Sequence, residues 1–581
     1  MKELGLWAML AVPLILATFQ GAVGGRRMID WLTPWAALPA LLLLVFGGTF
    51  TVDVSWLLLE ARLGVDPVGR VFLGLTAGLW LAAGIFAGSY LAHDVDRGRF
   101  QVFFLLTMAG NLGATVAQDC VSFLTCFTLM SVAAYGLIVH DRQPASLRAG
   151  RVYLVMTIAG EMLLFAGMIL LAQETRWLDF ERLSARLAES PRRDVIVGLL
   201  LAGFGIKLGM MPLHGWLPLA HPAAPTPASA VLSGAIIKTG LLGLLRTLPL
   251  GAVALDGWGS VCLLAGITTS LLAALIGITQ RNPKTVLAYS SISQMGLVTM
   301  ALGAALAAPA AWPTISIVLL LWAVHHAIAK AALFLGVGVA GAKMPTAGMR
   351  ALVAAGLLLA ALALAGLPMT MGFSAKAALK ESASAVEGWA AGLAGLLPLT
   401  GVTTTILVSR FLWLVWPMRR GGHGALTAAM VIPWAVLSAG VVAGFFVLRW
   451  HGLVNAAWLS LDPAAVWASV WLMLATAIVV LLVIVRPRLA AVPARITIPE
   501  GDLVVPLIAV AQWCRREWNQ IAVVRLPRGF QALRETWFDK AVPAIRRWLD
   551  RLTHSLESDV SAGLLIALLV VTLFLVSLGC R

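Results

Sequence analysis

The stretch GIKLGMMPLHGWLPLAHPAAPTPASAVLSGAIIKTG, residues 205–240, sets two lysines (Lys207, Lys238), two histidines (His214, His221) and five prolines into otherwise apolar surroundings. Lipid penalises charged side chains and offers no water to an interrupted backbone. A segment that carries both features in the middle of a membrane chain marks a place where water or protein replaces lipid. The reading of the fold turns on whether its surroundings are membrane helices.

The composition says that they are. Of 581 residues, 60% are hydrophobic and 12% charged, with a mean hydropathy of +0.91, where a soluble chain carries about 25% charged residues. Apolar stretches of roughly 20 residues recur from end to end, and the short alternating segments of a β-barrel are missing. The sequence predicts an all-α polytopic membrane protein with about sixteen spans. They are residues 4–24, 31–50, 67–91, 100–118, 120–139, 151–172, 194–211, 227–247, 258–278, 284–304, 313–341, 350–379, 388–416, 427–448, 464–485 and 562–579. Residues 51–66 alternate too irregularly for a span and read as a small surface hairpin, and residues 173–193 as an amphipathic surface helix. Residues 486–560 mix tryptophans with many arginines, as an amphipathic helix along the membrane surface does, with Pro527 and Pro543 expected to bend it.

The net charge of +15 would suggest nucleic acid in a soluble domain. Here the basic residues gather in loops after odd-numbered spans, such as Arg97 and Arg99, Arg281 and Lys284, or Lys343 and Arg350. The positive-inside rule then puts both termini on the non-cytoplasmic side of what is expected to be a bacterial inner membrane. Lys2 is offset by Glu3 and no small-residue cleavage site follows, so the first span is expected to be retained. Five scattered cysteines without a CxxC pair argue against iron–sulfur or structural zinc sites. Residues 336–341 match GxGxxG, but they follow a long apolar helix and read as packing glycines rather than a nucleotide loop. No cofactor and no metal are expected, and any redox chemistry belongs to a partner.

Four lysines lie inside spans. Lys207 is 13 residues beyond Asp194, roughly 20 Å of helix. Lys330 is 17 residues after Pro313 and 13 before Lys343, and Lys238 is eight residues from Arg246. Lys376 follows the interruption Gly366-Leu367-Pro368. Snorkelling to the interface is the bland explanation, but Lys207 and Lys330 lie too deep for it. A mid-membrane lysine costs about 2.5–3.5 kcal/mol and ordinarily faces the bundle interior or water, so four of them read as a relay. His326 precedes Lys330 by one turn, with His325 beside it, and imidazole titrates near neutral pH. A lone histidine is more often structural; one stacked on a buried lysine is better placed to pass protons. The two breaks, at Pro212 and Pro368, lie five spans apart and so enter from opposite sides. Broken helices at corresponding positions of inverted halves are the mark of an ion-handling transporter, which suggests one five-helix repeat over residues 100–247 and a second over 258–416. Residues 1–99, 427–485, 486–560 and 561–581 complete the division as N-terminal helices with the hairpin, additional helices, lateral segment and last transmembrane helix.

These residues resemble a known family. Lys207 followed by Pro212-Leu213-His214-Gly215-Trp216-Leu217-Pro218, then Ala224-Pro225-Thr226-Pro227-Ala228-Ser229-Ala230, Leu232-Ser233-Gly234 and Lys238, is similar to the antiporter-like subunits of respiratory complex I. Mrp-type cation/proton antiporter subunits and hydrogenase-4-type large membrane subunits belong to the same family. The run His326 to Leu335, and Gly366-Leu367-Pro368 with Gly372-Phe373-Ser374 and Lys376, match two further motifs, and the likeness covers roughly residues 65–415. It implies Lys207 as the central lysine of a first half-channel, Lys238 as the next relay site, Lys330 as the carrier between halves and Lys376 as the gate of the second. It also implies a glutamate on the fifth span paired with Lys207, and there the chain departs: Thr128 holds that place. Glu161, on the sixth span, is the candidate counter-charge. The function implied is that of a proton-translocating subunit, or a cation/proton one if sodium also moves, in a membrane-bound complex of several subunits. The subunit would carry no redox site and be driven by partners such as those of an NADH:quinone oxidoreductase or a hydrogenase. The alternatives are an Mrp-like antiporter, a stand-alone secondary transporter, and a scaffold subunit whose channel has degenerated.

Overall fold

A chain in lipid must satisfy its backbone within each segment, and helices do so; the architecture follows from that requirement. The computed structural model describes residues 2–20, 26–54, 61–174, 179–384, 386, 389–415, 424–485, 498, 499 and 501. The chain opens with α1 (Lys2–Gln20), α2 (Arg26–Leu32) and α3 (Leu38–Phe46), followed by strands β1 (Phe50–Val54) and β2 (Ala61–Val65). The strands pair antiparallel, Phe50 opposite Val65 and Val54 opposite Ala61. Then come α4 (Pro67–Tyr90), α5 (Arg97–Val116), α6 (Cys120–Ile138), α7 (Pro144–Glu174), α8 (Phe180–Glu189) and α9 (Arg193–Leu208). Short α10 (Leu217–Ala223) and α11 (Thr226–Val231) lead through a π turn (Leu232–Ile236) into α12 (Ile237–Thr247). The remainder is α13 (Asp256–Ile278), α14 (Pro283–Ala307), α15 (Trp312–Ala340), α16 (Ala347–Ala365), α17 (Met371–Ser384), α18 (Trp389–Val415), α19 (Ala428–Trp450) and α20 (Pro463–Val485).

Twelve of the described helical segments are long and apolar enough to cross a membrane, against about sixteen expected from hydropathy. The difference has physical causes. The expected span 100–118 is α5, a helix carrying Arg99, Gln101, Thr107, Asn111 and Thr115, all of them buried. A helix enclosed by other helices needs no apolar coat. The span 194–211 is α9, which stops after 16 residues at a break, and within 464–485 the apolar helical part that qualifies is Ser469–Val479. The span 562–579 and the lateral segment 486–560 lie outside the described residues, apart from 498, 499 and 501.

Small residues set how closely the interior helices approach, as is usual where lipid gives no hydrophobic drive to pair them. Between α13 and α14, a Cβ at Gly266 would come within 2.6 Å of the Gly296 carbonyl oxygen, so only glycine fits. The GxGxxG glycines lie within and at the end of α15; Gly336 packs against Leu357 and Trp434.

One end of the bundle is clamped by charge. Asp66 caps α4, accepting from the Gly69 amide (3.1 Å), Gln118 Nε2 (3.0 Å) and the Arg246 guanidinium (2.7 Å). Arg246, near the end of α12, also donates to the carbonyls of Ala114, Thr115 and Ala117, which α5 leaves without helical partners. Asp119 caps α6 through the Ser122 amide (2.7 Å) and takes the Arg62 amide of β2 (2.8 Å). Amphipathic α8 buries Leu183 and Leu187 beneath this layer. Burial by itself would raise the Asp66 carboxyl, but the Arg246 guanidinium, with the Gln118 and Gly69 donors, overrides it and holds the carboxyl below its ordinary range. The stabilisation is therefore complete above the unfolded aspartate value of about 3.9 and is lost as pH falls through the lower folded value. Asp66→Asn should cost about 1–3 kcal/mol at neutral pH by weakening the hold on a buried guanidinium. Thermal unfolding in detergent should show a gap between wild type and variant that is flat near neutrality and closes only in strong acid.

Candidate functional site

The first break is built by a glycine. α9 ends at Leu208 because Gly209 takes φ +82°, and the Gly209 and Met210 amides turn back to the Gly205 carbonyl at 2.9 and 3.0 Å. Pro212 lies three residues further on, inside a non-helical segment that lasts until α10 begins at Leu217. Trp216 Nε1 donates to the Ile206 carbonyl (2.7 Å) and the Met211 amide to Thr269 (3.0 Å), so the interrupted backbone is satisfied by protein. Lys207 stands in the last turn of α9, where carbonyls and the helix dipole favour a cation.

Its ammonium is enclosed by rings. Nζ lies 5.2 Å from the Phe127 ring centre, 5.3 Å from that of Tyr153 and 5.9 Å from that of Trp216, and donates to the Tyr153 hydroxyl at 3.4 Å. Tyr153 in turn donates to the Ser131 carbonyl (2.8 Å). Glu161 on α7 and Lys207 line one small cavity with Phe127, Thr157 and Trp216, with room for about one water. They interact across it electrostatically, and among the described residues no contact ion pair joins them. Thr128 and Ser131 of α6 stand beside the Glu161 carboxylate, whose Oε1 has no partner among the described residues.

The second centre lies between α12, α14 and α15. Lys238 Nζ meets His326 Nδ1 at 2.6 Å and donates to the Ser233 carbonyl at 2.5 Å, on the π turn that precedes α12. Such wide turns recur at functional sites. Donation from Lys238 makes Nδ1 the acceptor and places the imidazole proton on Nε2. Lys330, one turn along α15, donates to the Leu287 carbonyl of α14 at 2.9 Å. Lys238 and Lys330 are 1% and 0% exposed, so neither snorkels.

The third centre repeats the first. α16 ends at Ala365 because Gly366 takes φ +98°, with its amide on the Ala363 carbonyl (3.1 Å) and that of Leu367 on Leu362 (2.9 Å). Pro368 lies in the break and α17 resumes at Met371. Lys376, partly buried, reaches back from α17 to donate to the Ala365 carbonyl. His325 lies against Gly372 and within electrostatic reach of Lys376 and Lys238.

The residues expected from sequence thus fall into three groups. Lys238, His326 and Lys330 are brought together, and His325 stands between them and Lys376. Lys207 with Glu161 is separate: among the described residues no hydrogen bond joins Lys207 to Lys238, and the ground between holds Gly240 against Lys207 and the pair Asn111–Thr239 (2.7 Å). His214 is fully buried in the first break. The sequence reading noted His221 but left it out of the relay; it is fully buried, stacked on Phe334 at 4.8 Å and within electrostatic reach of Lys330, Lys284 and Lys238. The signal was present, since His221 follows His214 by seven residues, two helical turns, in the same polar run. The rings around Lys207 gave no such signal, because aromatic residues are ordinary filling in apolar helices.

Residues 117–402 match the family described as NADH:quinone oxidoreductase/Mrp antiporter, TM. The chain is 28% identical over 369 residues to hydrogenase-4 component B of Escherichia coli (strain K12), covering 60% of this chain and 55% of that one. To NADH-quinone oxidoreductase subunit N of Desulforudis audaxviator it is 29% identical over 425 residues, 66% of this chain and 81% of the other. The chain spans little more than half the length of the first of these relatives. A chain in the Mrp complex from Dietzia sp. DQ12-45-1b shares the fold, with a TM-score of 0.69 at 22% identity over 94% of this chain and 63% of that one.

The second break depends on Gly372. A Cβ there would fall on the Ala363 carbonyl oxygen and lie 2.7 Å from the His325 ring. Gly372→Ala should lower thermal stability by about 1–3 kcal/mol, whereas Gly78→Ala, where an added Cβ meets nothing within 4 Å, should leave it unchanged or slightly raised. Unfolding curves of the two variants in detergent check the contrast.

Proposed function

We propose that the chain, whose residues 117–402 match the NADH:quinone oxidoreductase/Mrp antiporter transmembrane family, is a proton-translocating subunit of a membrane-bound, multi-subunit energy-converting complex. Protons pass along Lys207, Lys238, Lys330 and Lys376, with His214, His325 and His326 as intermediates, and partner subunits supply the driving reaction. The observation that carries this reading is the cluster of Lys238, His326 and Lys330. Two ammonium-bearing chains with an imidazole 2.6 Å from one of them, shielded from lipid, contribute nothing to packing that apolar residues would not do better. An imidazole between two amines is, in contrast, suited to accept a proton from one side and release it to the other.

Two inverted repeats, residues 100–247 and 258–416, give the path its form. In support, the two breaks share a design: a glycine at positive φ ends each helix, and a lysine stands by each set of freed last-turn carbonyls. The chain is an integral membrane protein, placed on this reading in a bacterial inner membrane with both termini on the non-cytoplasmic side. In the first repeat Glu161 takes over the counter-charge that Thr128 does not provide. The shared cavity and the place of Thr128 beside the carboxylate support that assignment.

Reconstituted into vesicles with its complex, the Lys330→Ala variant should lose proton pumping at least about tenfold, as a transport step that lost its carrier would. Unchanged pumping would refute the relay. Glu161→Gln should slow pumping comparably, and adding Thr128→Glu to it should restore most of the rate. A double variant as slow as Glu161→Gln alone would remove Glu161 from the role.

A further inference from the structure

Lipid tails are as apolar as leucine, so an exposed apolar helix face needs no explanation in a bilayer. A hollow in that face does. α4, α15 and α19 line an apolar groove of about 550 Å³ that opens on the outer surface, where Ile432 and Val436 of α19 are 61% and 64% exposed. On α4 it runs from Val71 to Ile85, roughly 20 Å of helix. It is hollow because Gly74, Gly78 and Ala82 recur at every fourth residue on one face of α4. A Cβ at Gly78 would meet nothing within 4 Å.

The size of the groove and the residue at its mouth decide what fits. A helix about 10 Å across would need about 1,500 Å³ over that length, far more than is there. One acyl chain covers a single leaflet, about 15 Å of hydrocarbon, and fits lengthwise. Arg70 is exposed, directly precedes the first lining residue, and uses one N–H on the Leu44 carbonyl at 3.3 Å. The Leu44 side chain lies over Gly74, with Cδ2 2.9 Å from where a Cβ would stand, so the guanidinium sits at the mouth. It has four more N–H groups to offer, and among the described residues no carboxylate pairs with it. A planar cation above an apolar slot matches a phosphodiester above its acyl chain.

We propose that this groove is a binding site for one glycerophospholipid, with an acyl chain laid along α4 and the phosphate held by Arg70. The chain supplies the dispersion contacts that the glycines leave unmade. It also touches the helix that matters most to the interior. Val324 and Ile328, the lining residues of α15, stand two positions, about 200° around the helix, from His326 and Lys330. α15 therefore bears the lipid on one face and the lysine–histidine cluster on the opposite one. The lipid site does not depend on whether those lysines relay protons.

The test uses the intact complex in mild detergent, with native mass spectrometry counting both retained phospholipids and subunits. Wild type should keep one phospholipid more per copy of this chain than Gly78→Leu, which fills the groove from a position with open space around it. Gly88→Leu is the control: its Cβ also meets nothing within 4 Å, but it lies outside the groove, so its count should equal that of wild type. After delipidation, phosphatidylglycerol added back should bind Arg70→Gln at least about tenfold more weakly than wild type, and Arg70→Lys should recover most of the affinity. Equal phospholipid counts for wild type and Gly78→Leu would overturn the proposal. So would loss of a subunit from Gly78→Leu with its phospholipids unchanged, because a partner helix would then be the occupant. A wild-type complex that retains no phospholipid would also overturn it, and would leave the groove to another part of this chain, such as residues 562–579. Transport is not a readout, so failure here leaves the proton-translocating reading untouched.

Discussion

An ammonium group in a membrane interior must be given its acceptors by the protein, at an insertion cost of about 2.5–3.5 kcal/mol for each lysine. The form of this molecule follows from where those acceptors come from. Regular helices offer few, because their carbonyls are already bonded within the helix; Lys330, on the Leu287 carbonyl inside α14, shares one. The chain frees them by ending α9 and α16 at glycines of positive φ and by widening the turn before Lys238. Lys376 then rests on Ala365 and Lys238 on Ser233, while Lys207 sits in the last turn of α9 among aromatic faces. The interruptions that looked costly in the sequence are the means by which the charges are held.

The first and second centres meet the same constraint differently. Among the described residues the buried carboxylates are Asp119 and Glu161, and Asp119 is committed to capping α6. Glu161 alone faces one of the four buried-span lysines, Lys207, and it does so across a cavity rather than in contact. A direct buried ion pair would bind its partners firmly and leave little reason for a proton to move on. The second centre uses carbonyl dipoles and an imidazole instead. On the proposed reading, the first centre is where a change in a neighbouring subunit can be felt as a change in the carboxylate–ammonium distance, and the second is a conduit.

Much of this was legible in the sequence, for physical reasons. Depth could be counted from the flanking charges, so Lys207 and Lys330 were recognisable as buried, and Pro212 and Pro368 announced breaks. The prolines were one step removed from the cause, however: Gly209 and Gly366 end the helices, and a glycine's φ is not written in its name. The number of spans was harder, because hydropathy measures what a helix would show to lipid. α5 shows lipid almost nothing and can therefore be polar, and α9 is short because it stops at the break. The ring cage at Lys207 and the groove lined by α4, α15 and α19 were out of reach, since both depend on residues from different helices meeting in space.

Buried polar atoms rarely go without partners, and those that have none in the protein mark where hydration must be. Among the described residues several belong to the groups around the lysines, Glu161 Oε1, both ring nitrogens of His221, His326 Nε2 and His325 Nδ1, while others, such as Gln20 Oε1, Ser122 Oγ and His140 Nδ1, lie elsewhere. Apolar cavities in proteins stay dry, but sites that offer polar partners do not. The contacts of α14 with α13 and of α15 with α16 are otherwise tight enough that a Cβ at Gly266 or Gly336 has no room. Water admitted here is therefore confined to single sites beside titratable groups rather than to an open channel. Such spacing suits a proton, which can hop between fixed partners.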